Sequence, residues 1–102
     1  FVDDVVRATV AAATVDVAPG SVINVAGGSQ TRLADLISLV GEAIGRPVAL
    51  DRRPPAAGDV ARTGGDTERA RSLLDWVPNM PLTEGVAAQV AWHRARSVAA
   101  AL

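Results

Sequence analysis

Apolar positions recur at helical spacing in four stretches of this chain and condense into short β-branched runs in two others. Phe1-Val2 reads as the tail of a strand entering a helix. Asp3 or Asp4 is placed to cap the free N–H groups, and both acids suit the positive end of the helix dipole. Val5, Val6, Thr9, Val10 and Ala13 then form a helical stripe toward Val15, and Ala18-Pro19-Gly20 stops it. Ser21 to Val25, SVINV, predicts a short buried strand. After the turn Gly27-Gly28-Ser29-Gln30, Thr31 is the N-cap expected of a second helix. Its Leu33, Leu36, Ile37, Val40 and Ile44 fall at spacings of three and four, the clearest amphipathic pattern in the chain. Gly45 suits a left-handed C-cap, and Arg46-Pro47 prevents continuation. Val48 to Leu50 predicts another strand. Strand, helix and strand in this order predict a parallel pair joined by a right-handed crossover.

Asp51 to Gly65 has no periodicity and reads as a long irregular loop, a length that is uncommon unless functional or mobile. Asp66 is the expected cap of a helix from Thr67 to Leu74, with Ala70, Leu73 and Leu74 inward and Trp76-Val77-Pro78 closing it. Thr83 is the expected cap of the last helix. That helix directs Val86, Val90 and Trp92 toward the core and fades into the alanine-rich tail at 97–102. The predicted class is therefore mixed α/β, with about four helices and two or three short strands.

Composition narrows the possibilities. A chain of 102 residues is one small domain at most, able to bury about two-thirds of its unfolded surface. Hydrophobic residues make up 49% of it, yet its only aromatics are Phe1, Trp76 and Trp92, so the core must be aliphatic with the tryptophans as its large pieces. The lack of cysteine excludes a disulfide framework and thiolate metal sites, and fits a reducing, cytoplasmic setting. No apolar run approaches the ~18 residues of a membrane span, and no basic-then-apolar leader is present. A formal charge of −1 removes the general attraction expected of a nucleic-acid binder. All ten basic residues are arginine, which weakens any single arginine as a marker of function. The opening on Phe1, without an initiator methionine, predicts a piece of a longer protein.

The chemistry concentrates between Arg52 and Pro78. Arg52, Arg53 and Arg62 flank Gly58-Asp59 in the long loop, where guanidinium forks match phosphate oxygens and a carboxylate accepts from sugar hydroxyls. The competing reading is a solvated, proline-stiffened loop. Gly27-Gly28-Ser29-Gln30 before a helix resembles an anion-binding turn but lacks the spacing of a dinucleotide fingerprint or Walker loop, and reads as a plain turn ahead of a phosphate cradle. His93, the only histidine, has no nucleophile motif or metal partners and reads as a surface residue. Asp3 and Asp4 diverge by about 100° on a helix, so they do not converge on one atom. Glu68, Arg69 and Arg71 read as a solvated helix face. Nowhere do a general base, a nucleophile and a stabilising group occur together, so residue chemistry describes a binding piece with no catalytic, cofactor-binding or metal-ligating residue.

The order of motifs resembles the C-terminal part of the extended short-chain dehydrogenase/reductases, the NAD-dependent nucleotide-sugar epimerases and dehydratases. Phe1-Val2-Asp3-Asp4-Val5-Val6-Arg7-Ala8 is similar to the family's aromatic-Val-Asp-Asp segment. Val22-Ile23-Asn24-Val25-Ala26-Gly27-Gly28, followed by Thr31-Arg32-Leu33, resembles its Asn-x-Gly strand and turn. Gly58-Asp59-Val60, Thr63, Asp66, Ala70 and Trp76-x-Pro78 follow its Gly-Asp-Val, Thr, Asp, Ala and Gly-Trp-x-Pro series. Leu82-x-Glu84-Gly85-Val86 and Trp92 match its closing helix.

The resemblance implies a smaller substrate-binding lobe over the whole chain, 1–102, packed on a Rossmann domain that lies elsewhere. It implies that NAD(P) is bound mainly outside this chain, that a nucleotide-sugar is the ligand, and that the parent can form a homodimer. It implies Arg53, Asp59, Arg62 and Thr63 as substrate contacts. In the family an Arg three residues before the aspartate grips the diphosphate and the Asp reaches the ribose. Here Asp59 fits, but that arginine position is Ala56, leaving Arg53 or Arg62 to serve. Thr63 stands where a larger pocket residue is usual, and Asp75 replaces the glycine before Trp76, so it is expected to adopt the C-cap conformation. The family's Tyr-x-x-x-Lys cannot occur in a chain with neither tyrosine nor lysine. Two alternatives stand beside this reading: a related NAD(P)-dependent reductase or dehydratase with another substrate, and a non-catalytic module that docks a partner on its last helix.

Overall fold

The structure, a computed structural model, describes residues 1–100, with side chains described through 97. It contains four helices: α1 (Val2–Thr14), α2 (Leu33–Ile44), α3 (Glu68–Leu74) and α4 (Leu82–Ala100). No strand forms among the described residues, so the expected mixed α/β class is corrected to all-helical. Ser21 to Val25 and Val48 to Leu50 have β-branched sequences but no ladder partner, and a strand exists only as a pair. Val22 is 72% exposed, and its carbonyl accepts instead from Arg69 Nη1 at 3.0 Å. Phe1-Val2 is not a strand end either, since Phe1 is the N-cap of α1. The predicted parallel crossover falls with these strands. No helix among the described residues is long and apolar enough to cross a membrane.

Contacts divide the chain into two compact units, one comprising Phe1–Gln30 and Val60–Met80, the other Thr31–Asp59 and Pro81–Leu102. In the first, α1 packs on α3 around Ala8, Ala70, Leu74 and Trp76, with Ala11, Val17 and Ile23 half-buried against them. The valine stripe expected to face this core does not. Val5, Val6 and Val10 are all more than half exposed. Asp4, Ala8 and Ala11 turn inward at helical spacing, and their small size lets α1 approach Trp76 closely. Leu73, also expected inward, is exposed.

Asp3 and Asp4 do not cap α1 through their side chains; Asp4 is a buried acceptor instead. Its carboxylate accepts from Arg7 Nη2 at 2.6 Å and from the N–H groups of Asn79 and Met80 at 3.1 Å each. Its carbonyl accepts from Trp76 Nε1 at 2.9 Å, and Arg7 Nη2 also donates to the Val77 carbonyl at 2.9 Å. One helical turn thus fixes the segment that follows α3. The Arg7 hydrogen bond holds the Asp4 carboxyl below its ordinary range; burial pushes the other way, and the two backbone donors reinforce the lowering.

The N-cap of α3 is not the expected Asp66 but the residue after it. Thr67 is the N-cap, while Asp66 Oδ1 accepts from the Glu68 N–H at 2.9 Å. At the other end Asp75 takes the left-handed conformation (φ 50), the one non-glycine among the described residues to do so, and the N–H groups of Asp75 and Trp76 close on the Ala70 carbonyl.

In the second unit α2 packs on α4. Leu36, Ile37, Val40 and Ile44 are half-buried as the periodicity predicts, whereas Leu33 at the helix start is 71% exposed. Arg32, not Thr31, is the N-cap. Gly45 closes α2 with φ 79, and the Arg46 N–H reaches back to the Gly41 carbonyl at 3.1 Å. α4 starts at Leu82, buries Val86 and half-buries Val90. Arg94 Nη2 donates to the Ile44 carbonyl at 2.8 Å, placing a cation on the negative end of α2. Trp92, expected in the core, is 55% exposed, with the Arg96 guanidinium 4.6 Å from its ring centroid and His93 edge-on to it. The predicted fading of α4 at 97–102 lies partly outside the described residues.

Candidate functional site

The loop before Val60 contributes Arg52, Arg53 and Asp59, all exposed. Arg53 directs both Nε and Nη2 to Asp51 Oδ2, at 2.8 and 2.7 Å. The side chains of Arg53 and Asp51 are 81% and 72% exposed, so the pair is worth at most about 1 kcal/mol and gives way readily to a stronger anion. Arg52 lines a shallow cavity of about 460 Å³ with Leu33, Ile37 and Leu50. Asp59 closes a four-residue turn. Its N–H donates to the Ala56 carbonyl at 3.1 Å, and Gly58 takes the left-handed conformation (φ 85) that such a turn needs at its third position. Asp59 has no ion-pair or hydrogen-bond partner for its carboxylate among the described residues.

Arg62 and Thr63 belong to the first unit and line a different feature, an open cavity of about 790 Å³ between residues 26–30 and 62–67. Two devices hold these segments together. Arg69 reaches the Val22 carbonyl, and Gly65 lets the chains approach so closely that a Cβ there would stand 3.1 Å from Ala26 Cβ. The walls are mostly polar: Ser29, Gln30, Arg62, Thr63, Asp66 and Thr67, with glycine backbone between them. Arg62 has no carboxylate within 4 Å among the described residues, whereas Arg7, Arg53 and Arg71 each do.

Of the four expected contact residues, the structure brings Arg62 and Thr63 into one cavity, sets Arg53 against Asp51, and presents Asp59 on a turn. It adds Gln30, Asp66 and Thr67 to Arg62 and Thr63. The turn at Gly27 to Gln30 stood out in the sequence, but nothing there revealed that it meets residues 35 positions away. The Asp4 network was missed as well; its one visible sign was an acid followed by an arginine three residues later in a helix start.

No family model and no solved structure matches the chain. Curated proteins do. The chain is 38% identical over 97 residues, 95% of its length, to a UDP-glucose 4-epimerase of Mycolicibacterium smegmatis. It is 30% identical over 78 residues, 76% of its length, to an uncharacterized 37.6 kDa protein of Escherichia coli O111:H-. These matches span 31% and 23% of the two relatives, so the chain accounts for less than a third of either. The resemblance carried by the aromatic-Val-Asp-Asp, Gly-Asp-Val and Trp-x-Pro motifs therefore holds: the chain is a segment related to the extended short-chain dehydrogenase/reductases.

Proposed function

We propose that this chain is the substrate-binding portion of an NAD(P)-dependent nucleotide-sugar epimerase or dehydratase. It orients the nucleotide diphosphate while hydride transfer takes place on residues outside it. The observation that carries this reading is the 38% identity, across nearly the whole chain, to a protein named UDP-glucose 4-epimerase. Arg53 exchanges the weak Asp51 contact for phosphate oxygens. Asp59, on its turn with an uncommitted carboxylate, accepts from ribose hydroxyls. Arg62 and Thr63 supply further contacts from their cavity. Such a portion contributes affinity and orientation, and both raise the rate when the reacting groups are held in line.

The nicotinamide cofactor does not fit the residues present. Gly27-Gly28 follows no strand, lacks the three-glycine spacing, and stands five residues before α2 begins at Leu33. We therefore assign no residue of this chain to it. A Rossmann domain is the proposed partner, and the exposed Val2, Val5, Val6 and Val10 leave α1 an apolar face suited to one. A homodimer of the parent is part of the same proposal.

Reading the gene upstream of Phe1 tests the enzymatic assignment, which requires a glycine-rich fingerprint and Tyr-x-x-x-Lys there. A thermal-shift series on the intact protein tests the ligand. UDP-glucose should raise the melting temperature in a concentration-dependent way; an open upstream sequence without either motif, or no shift with any UDP- or dTDP-sugar, refutes the proposal.

A further inference from the structure

The cavity of about 460 Å³ in the second unit lies between the first turns of α2 and the chain from Leu50 to Arg52. Arg53, Asp59, Arg62 and Thr63 all stand outside its walls. Its volume falls toward the lower end of the range for small-molecule sites, about 300–1,000 Å³. The lining is largely aliphatic. Leu33 and Leu50, at 71% and 49% exposure, border it with Ala34 and the half-buried Ile37. Adjoining apolar side chains left in water around a concavity mark a surface that gains by being covered.

The polar side chains around it leave one donor group available. Ser38 Oγ is spent on the Ala34 carbonyl, at 3.1 Å. Asp51 can only accept, and its Oδ2 already takes both Nε and Nη2 of Arg53. The Asp51 charge is therefore offset from outside the cavity. Arg52 has no carboxylate within 4 Å among the described residues, so its guanidinium fork stands open beside the leucines.

This combination selects among ligands. A sugar would leave most of its hydroxyls without partners, and covering them unpaired costs affinity. A cation would meet Arg52, and a plain hydrocarbon would leave that fork unanswered. A single carboxylate on an aliphatic body satisfies both halves: the fork takes its two oxygens and the body covers Leu33, Ile37 and Leu50.

We infer that this cavity binds a medium-chain aliphatic carboxylate, with its headgroup on Arg52. The site lies wholly within the second unit and does not depend on the nucleotide-sugar reading.

Isothermal titration of the intact protein with sodium octanoate tests it, with octylamine as the probe of opposite charge. Arg52→Gln removes the fork, and Leu33→Ser removes part of the apolar lining; both positions are exposed, so the fold should survive. Arg46→Gln, at another exposed arginine of the same unit, controls for general charge attraction. Octanoate should bind at one site, about tenfold more weakly in Arg52→Gln and several-fold more weakly in Leu33→Ser. Arg46→Gln should change its affinity by less than about twofold, and octylamine should not bind. Wild-type protein that ignores octanoate would overturn the inference, as would unchanged affinity in either cavity variant. An Arg46→Gln loss equal to that of Arg52→Gln, or octylamine binding as tightly as octanoate, would overturn it by showing association without the Arg52 fork.

Discussion

Trp76 and Trp92 look alike in the sequence, and the structure gives them opposite roles that stability measurements can separate. Trp76 is 3% exposed, packs with Ala8, Ala70 and Leu74, and donates from its indole nitrogen to the Asp4 carbonyl. Trp76→Ala should cost about 3–5 kcal/mol from lost packing and the cavity left behind. A chain of this length holds on the order of 5–15 kcal/mol in total, so the variant loses a large share of it. Trp76→Phe keeps most of the ring but leaves the carbonyl without its donor, and should cost about 1–2 kcal/mol. Trp92→Ala removes an exposed ring and its stacking with Arg96, worth about 0.5–1 kcal/mol. Urea unfolding followed by far-ultraviolet circular dichroism reads the series. With a slope of about 1–3 kcal/mol/M, Trp76→Ala should lower the midpoint by at least about 1 M, and Trp92→Ala by a few tenths. Fluorescence of Trp92→Phe isolates Trp76, which should emit to the blue until unfolding. Equal losses for the two alanine variants, or a larger one for Trp92, would refute this account of the core.

Asp4 gives a pH prediction. Its folded pKa lies below the ordinary 3.8, so its stabilisation is complete above that value and is lost as pH falls through the folded one. Urea midpoints should place wild type above Asp4→Asn near neutrality, with the gap narrowing as pH falls below the ordinary carboxylate value; a gap constant with pH would contradict the network. Asp75→Gly relieves the left-handed strain at the end of α3 and should stabilise by about 0.5–1 kcal/mol, while Gly45→Ala at φ 79 should destabilise by about 1 kcal/mol. Thermal denaturation checks both signs. Arg94→Ala removes the cation from the α2 carboxyl end and should cost about 0.3–1 kcal/mol, a loss that fades in high salt.

The helices were legible because helical order is local. The α2 stripe, Gly45 at its end and Asp75 in the left-handed C-cap all follow from residues within a few positions of one another. The strands were not, because a β-branched run becomes a strand only where another segment supplies its hydrogen bonds, and among the described residues none does. The inward side of α1 was misread for a related reason. Its valines are the more hydrophobic, but close approach to Trp76 favours Ala8 and Ala11, and the Asn79 and Met80 N–H groups draw in Asp4. At the candidate site, the arginines and Gly58-Asp59 could be named from the sequence. The company Arg62 keeps depends on the approach of Gly65 to Ala26, which is a tertiary fact.

The central claim is that this segment holds a nucleotide-sugar through Arg53 and Asp59. Isothermal titration of the intact protein with UDP-glucose, in wild type, Arg53→Ala and Asp59→Ala, tests it most directly. Each substitution removes a charge-assisted contact at an exposed site and should weaken binding about tenfold. Affinity unchanged in both variants would contradict the claim.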